Sequence, residues 1–227
     1  MEVSRDTLNI INNFIKTRVS DANSNGVVLG LSGGIDSAVT LSLSVAALGS
    51  DGVTGLIMPY KHTESVDLAK HHAEQLNVNT ETVSIKQIVE SFKSSSSLFS
   101  EKLSEGNLHS RIRMSILYGA GFSSNRLVIG TSNKSELLTG YWTKWGDGGT
   151  DFLPIGDLYK SQVYSLGEEL GVPSGILSRK PTAELWEGQT DEEEFGFTYL
   201  ELDQVLFNLE RFDNVSQISD KTGISLE

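Results

Sequence analysis

The chain has 227 residues, 38% of them hydrophobic, and no apolar run approaches the roughly 18 residues needed to cross a bilayer, which excludes a membrane-spanning helix. A formal net charge of −12 argues against binding along a nucleic-acid backbone, because lysines and arginines drive that binding by displacing counterions. The lack of any cysteine excludes a thiol nucleophile, a persulfide carrier, a cysteine-ligated zinc and an iron–sulfur cluster.

Residues 1–227 fit one α/β domain. The start, Met1 to Asp6, lacks the basic-then-apolar layout of a secretion signal, so a cytoplasmic protein is expected. Leu8, Ile11, Phe14, Ile15 and Val19 recur at helical spacing and predict an amphipathic first helix. Gly26 to Leu31 is a β-rich run, followed by a Gly33-Gly34 turn and a helix from Asp36 to Leu48. A second strand, Val53 to Met58, ends at Pro59; a polar helix then runs from Thr63 to Leu76, and a third strand lies near Thr80 to Ile85. Strands alternating with helices of about ten residues or more require crossovers, and so predict a doubly wound, Rossmann-like parallel sheet flanked by helices.

Ser94 to Asn107 reads as a polar loop, and Leu108 to Tyr118 as a helix carrying Arg111 and Arg113. Leu127 to Gly130 is a fourth buried strand. Thr131-Ser132-Asn133 then offers capping groups to a helix from Lys134 to Leu138 with Glu136 in its first turn. Beyond the Gly146 to Gly149 turn, a helix from Leu158 to Leu170 stops at Gly171 and Pro173. Asp191 to Glu194 reads as an acidic loop and Tyr199 to Leu209 as the last helix. His71 and His72 are adjacent on the second helix and point about 100° apart, so a solvated face is expected of them rather than a shared metal.

In open parallel sheets, ligands bind beyond the carboxyl ends of the strands, where helix N-termini present unpaired N–H groups. Ser32-Gly33-Gly34-Ile35-Asp36-Ser37 follows such a strand. Its glycines let an anion approach the backbone and its hydroxyls add donors, so phosphate is the natural guest. The loop lacks the lysine of a Walker A loop. Asp36 stands there instead, and a carboxylate beside phosphates makes sense with Mg2+ between them. Read alone, the glycine pair also fits an ordinary turn with an aspartate at the helix start.

The string Gly30-Leu31-Ser32-Gly33-Gly34-Ile35-Asp36-Ser37 resembles the signature of the N-type ATP pyrophosphatases, of adenine nucleotide alpha hydrolase-like fold, which adenylate an oxygen and release pyrophosphate. Five further strings follow: Arg111-Ile112-Arg113-Met114, Gly130 to Glu136, Thr143 to Asp151, Leu158-Tyr159-Lys160 and Pro181-Thr182-Ala183-Glu184-Leu185. Together they resemble the ammonia-dependent NAD synthetases over about residues 26 to 200. That resemblance implies a homodimeric ligase that amidates deamido-NAD to NAD with ATP and ammonia through an adenylated carboxylate, releasing AMP and pyrophosphate.

It also implies site residues. ATP would be held by Gly30, Leu31, Ser32, Gly33, Gly34, Ile35, Asp36, Ser37, Thr131, Lys160 and Thr182, with Asp36 and Lys160 catalytic. Asp36 and Glu136 would hold Mg2+, and Arg111, Lys144 and Asp151 would hold deamido-NAD. Without the family, Glu136 compensates a helix dipole, Thr131 is a cap, Thr182 is a turn residue, and the remaining charges are surface groups. For Arg113 the surface reading is preferred. The family's basic His-Lys terminal segment has no counterpart in Thr222 to Glu227, where Lys221 alone is near. The missing cysteine excludes sulfur-inserting relatives and a cysteine-dependent glutaminase domain, so ammonia is the expected nitrogen donor. A tRNA base as acceptor would call for a basic extension that the sequence lacks. A non-catalytic ATP-binding module would leave Glu136, Lys160 and the Gly146 to Gly149 turn unexplained together.

Overall fold

Successive residues of a strand face opposite sides of a sheet, and in the segment Val27–Gly30 both sides are buried: Val27 and Leu29 enter one hydrophobic cluster and Val28 another. The computed structural model describes residues 3–4, 6–182, 190–211 and 213–225. Its strands are β1 (Val27–Gly30), β2 (Val53–Ile57), β3 (Asn79–Thr82) and β4 (Leu127–Val128), paired in the order β3-β2-β1-β4 with every pair parallel. A parallel bridge from Ile129 to Phe152 extends the sheet past β4.

The helices are α1 (Thr7–Asp21), α2 (Ile35–Leu48), α3 (Glu64–Gln75), α4 (Lys86–Ser95), α5 (Lys102–Ser124), α6 (Lys134–Thr139), α7 (Lys160–Glu169), α8 (Ser174–Leu177), α9 (Asp191–Phe195), α10 (Tyr199–Glu210) and α11 (Val215–Thr222). Ile11 and Ile15 of α1, Val39 and Leu43 of α2, Val66 and Ala69 of α3, and Val163 and Leu166 of α7 cover one face of the sheet. Val89 of α4 with Leu108 and Ile112 of α5 cover the other. A fully buried aliphatic side chain contributes about 1.5–3 kcal/mol, so two such layers hold the central strands firmly and leave their carboxyl ends as the variable edge. No helix among the described residues is long and apolar enough to cross a membrane.

Several expectations change. The loop expected from Ser94 to Asn107 is largely helical: α4 ends at Ser95 and α5 starts at Lys102, then runs past Tyr118 to Ser124. Its first turns carry few apolar residues and are held by contacts with α4, among them the Lys93–Glu105 ion pair at 2.9 Å. Helix α4 was not expected, although Ile85, Ile88, Val89 and Phe92 have helical spacing, and the third strand, expected to Ile85, ends at Thr82. Helix α11 carries its own signal, an Asn214–Gln217 capping box closed by Gly223. The expected acidic loop is helix α9, capped by Thr190 and closed by Gly196, with Asp191 buried.

His72 is not solvated. With Val66, Ala69 and Ala73 it lies on the buried stripe of α3, 3% exposed, and its Nε2 meets Ser42 Oγ at 3.1 Å and the Ala38 carbonyl at 3.2 Å; His71 is exposed. Arg113, expected on the surface, is half-buried and donates from Nε to the Met58 carbonyl at 3.0 Å, just beyond β2. The Leu226 and Glu227 end of the expected C-terminal segment lies outside the described residues.

A second buried histidine, His109 of α5, stacks on Tyr60 with ring centroids 4.6 Å apart. Burial first, and the Arg113 charge second, push its pKa down from 6.5 to about 4; burial also lowers that of His72. The unfolded chain therefore binds protons more readily, so this stabilisation is complete above pH 6.5 and is lost as pH falls from there toward about 4. Urea unfolding should accordingly show stability declining between about pH 7 and pH 5, with a shallower decline in His109→Leu. An equal slope in that variant would count against the assignment.

Candidate active site

From β1 the chain moves outward to β2 and β3, then returns to place β4 on the other side of β1. The carboxyl ends of β1 and β4 therefore bound the switch point of the sheet, where adjacent crossovers leave in opposite directions and open a crevice. Three helix starts meet there. Asp36 is the second residue of α2, Glu136 the third of α6, and Lys160 the first of α7.

Lys160 is 3% exposed, which rules out a surface lysine. Its Nζ pairs with Oδ2 of Asp36 and lies 3.5 Å from Oε1 of Glu136. Asn133 braces both carboxylates: Nδ2 donates to Oδ1 of Asp36 at 2.9 Å, Oδ1 accepts from the Glu136 N–H at 3.0 Å, and the Asn133 N–H donates to Oε2 of Glu136 at 3.2 Å. The last two bonds form the capping box that starts α6. One side chain thus starts a helix and orients a charge on the neighbouring strand end.

The electrostatics follow from burial. Desolvation pushes the Glu136 carboxyl up to about 8, the Asp36 charge adds to it, and Lys160 offsets part. For Lys160, burial alone lowers the pKa, but Asp36 and Glu136 outweigh it and hold the ammonium charged. A Tyr199 ring lies 5.0 Å from Nζ and its hydroxyl donates to Oδ2 of Asp191 at 3.0 Å; Tyr141 donates to Oδ1 at 3.3 Å. Burial raises the pKa of Asp191 as well.

Within the loop, the Ser37 hydroxyl donates to the Gly34 carbonyl at 2.9 Å, the Gly34 N–H donates to Ser32 Oγ at 3.2 Å, and the two hydroxyls lie 3.1 Å apart. Leu31 and Ile35 are buried in the core, so only their backbones are available to a ligand. Gly30 ends β1. Thr131 is half-buried just past the Ile129 bridge, and Thr182 is half-buried next to Ala183 to Leu185, which lie outside the described residues. Arg179, after α8, donates from Nη1 to the Gly33 carbonyl at 3.4 Å and brings a cation to the loop's other side.

Arg111, Lys144 and Asp151 form a second group along α5. Arg111 Nε donates to the Lys144 carbonyl at 3.2 Å. Seven residues on, about 10 Å along the helix, the Tyr118 hydroxyl donates to Oδ1 of Asp151 at 3.1 Å, while Oδ2 accepts from the Val128 N–H at 2.7 Å. Asp147 braces the intervening turn by accepting from Ser110 Oγ at 2.7 Å and from the Thr143 N–H at 3.0 Å. Beside Lys144, Trp145 has φ of +60° and is 68% exposed.

A family model described as NAD synthase matches residues 7–227. The chain belongs to the NAD synthase family. The curated NH3-dependent NAD+ synthetase of Thermococcus kodakarensis is 46% identical over 224 residues, 98% of this chain and 88% of the relative. That of Archaeoglobus fulgidus is 52% identical over 201 residues, 87% and 81%. Among solved structures, the NMN synthetase from Francisella tularensis superposes with a TM-score of 0.86 at 41% identity, covering 90% of this chain and 86% of that one. The NH3-dependent NAD synthetase from Campylobacter jejuni gives 0.79 at 35%, covering 95% and 90%. As a member of the ammonia-dependent NAD synthases, the chain is an ATP-dependent ligase that amidates deamido-NAD.

Sequence reading missed the side-chain role of Asn133, the cation Arg179, and the Tyr199–Asp191 pair behind the NAD synthase cluster. Asn133 carried a capping signal that hid its second role, and Asp191 was read as part of an acidic loop; Arg179 carried no signal. The loop's two glycines also differ. Gly33 has φ of +79°, and a Cβ there would come within 2.2 Å of the Ser65 carbonyl oxygen, whereas at Gly34 it would meet nothing closer than Ser32 Oγ at 3.3 Å. Gly33→Ala should therefore destabilise the protein by at least about 2 kcal/mol and Gly34→Ala by far less, as read by melting temperature. Equal losses would contradict this account.

Proposed function

We propose that the Asp36–Lys160–Glu136 cluster is where the triphosphate of ATP is held and split, and that the α5 strip of Arg111, Lys144 and Asp151 receives deamido-NAD. The reading rests above all on one observation, a buried lysine bridging the pyrophosphatase-like loop and the next strand end. Backbone N–H groups of Ser32 to Ser37 and the start of α2 take phosphate oxygens, with hydroxyls from Thr131 and Thr182. Lys160, kept charged by its carboxylates, exchanges one of those contacts for a phosphate oxygen and stabilises charge moving onto pyrophosphate. Arg111 and Lys144 neutralise the carboxylate or diphosphate of deamido-NAD, and Asp151 binds ribose hydroxyls. The pyridine carboxylate attacks the α-phosphorus, pyrophosphate leaves, and ammonia displaces AMP from the adenylate with loss of a proton.

Asp36 and Glu136 fit Mg2+ by donor chemistry: they are hard carboxylates from adjacent strand ends, and that ion takes one or two of them with phosphates and water. Among the described residues no third acid or histidine joins them in a metal cage. Bound there, the ion would neutralise phosphate charge. The reaction belongs in the cytoplasm, in one synthetase domain over residues 1–227, with ammonia free or delivered by a separate protein and no nucleic acid involved.

Incubation with ATP, Mg2+, ammonium and deamido-NAD should yield AMP and NAD in equal amounts, and glutamine in place of ammonium should yield no NAD. Nicotinic acid mononucleotide is the control acceptor, given the Francisella tularensis relative. Asp36→Asn and Lys160→Met should each lower kcat by about 10²- to 10³-fold; AMP formation independent of deamido-NAD, or near-normal turnover in both variants, would sink the reading. The same family reading makes the active species a homodimer, using exposed apolar groups such as Ile10 of α1 and Tyr118 and Phe122 of α5 near Asp151. Its mass in solution, by light scattering, should be about twice 24.7 kDa. A fully active monomer would remove the homodimer from this reading.

A further inference from the structure

One carboxylate with 0% exposure, Asp203 of α10, lies behind the helix starts that carry Glu136 and Lys160. Its Oδ1 accepts from the Ser135 hydroxyl at 2.5 Å and its Oδ2 from the backbone N–H of Ser161 at 2.7 Å. The same Ser135 oxygen accepts from the backbone N–H of Lys160 at 2.9 Å. Ser135 immediately precedes Glu136, and Ser161 immediately follows Lys160.

We propose that Asp203, acting through Ser135, is a positioning residue that fixes Lys160 relative to Glu136. Burying an ionised carboxylate is costly unless its oxygens are satisfied. Satisfying them needed only the free amides of one helix start, yet Asp203 divides its oxygens between α6 and α7, the two helices whose first turns carry the charged cluster. Among the described residues, one other backbone tie joins these starts, two residues from each charged group, from the Lys134 N–H to the Leu158 carbonyl at 2.8 Å. Asn133 already sets the Glu136 carboxyl on its own helix. What Asp203 and Ser135 add is the spacing between helices, and hence the 3.5 Å separation of Nζ from Oε1. Tyr199, four residues earlier on α10, touches the same ammonium from the ring side, so α10 backs the cluster at two points.

The inference rests on Glu136 and Lys160 serving the reaction, which Lys160→Met tests separately. Asp203→Asn keeps the size but replaces one acceptor by an NH2 donor, so the side chain can no longer accept from both the Ser135 hydroxyl and the Ser161 N–H. Ser135→Ala removes the bridging hydroxyl and leaves Asp203 intact, so it carries the test if the first variant does not fold. Each variant, assayed well below its melting temperature, should lose about 10²-fold in kcat for deamido-NAD-dependent AMP formation while its KM for deamido-NAD stays within about twofold. The double variant should be no slower than the slower single one, because both changes cut one connection. Folded variants with wild-type kcat, or losses that multiply in the double variant, would overturn the proposal.

Discussion

A lysine shut away from water between two carboxylates is the constraint around which this molecule is arranged. Removing charges from solvent costs several kcal/mol each, and mutual attraction offsets that only when geometry is good and the remaining lone pairs are satisfied. Here both conditions hold. Lys160 meets Asp36 and Glu136, and Asn133 takes the other oxygen of each carboxylate. The three groups come from three helix starts, so their meeting depends on how those helices pack.

Bringing three helix starts together is a task for sheet topology. β1 sits between β2 and β4, and its side chains are buried on both faces, which makes it the rigid centre. α2 and α7 pack together on one side through Val39, Leu166 and neighbours, carrying Asp36 and Lys160 toward each other. The pyrophosphatase-like loop is then held from beneath by buried Leu31 and Ile35, leaving its backbone and hydroxyls toward the crevice. The same packing sets the second group, because α5 covers the opposite face through Leu108 and Ile112 and presents Arg111 outward.

Much of this was legible. Glycines and Asp36 directly after a buried strand place a tight turn and a helix start at the sheet's carboxyl edge, and strand–helix alternation announces a parallel sheet. Arg111, Lys144 and Asp151 were named through a family pattern, and the fold brings Arg111 to Lys144 and ties Asp151 to the same helix. Other features were misread because local signals compete. The acidic run at Asp191 looked solvated, since nothing nearby in sequence reveals that Tyr141 and Tyr199 enclose it. His72 looked exposed because the polar character of α3 masked its place on the buried stripe.

The sequence by itself determined the strand–helix alternation, the glycine-and-serine loop after β1, the capping chemistry at Asn133 and the absence of thiol chemistry, because each is set by residue type and spacing over a few positions. Only the tertiary structure decided which charges meet. Lys160 lies 124 positions from Asp36, and Asp203 lies 68 from Ser135. Such partners are chosen by sheet order and helix packing, and one strand placed on the other side of β1 would have joined different ones.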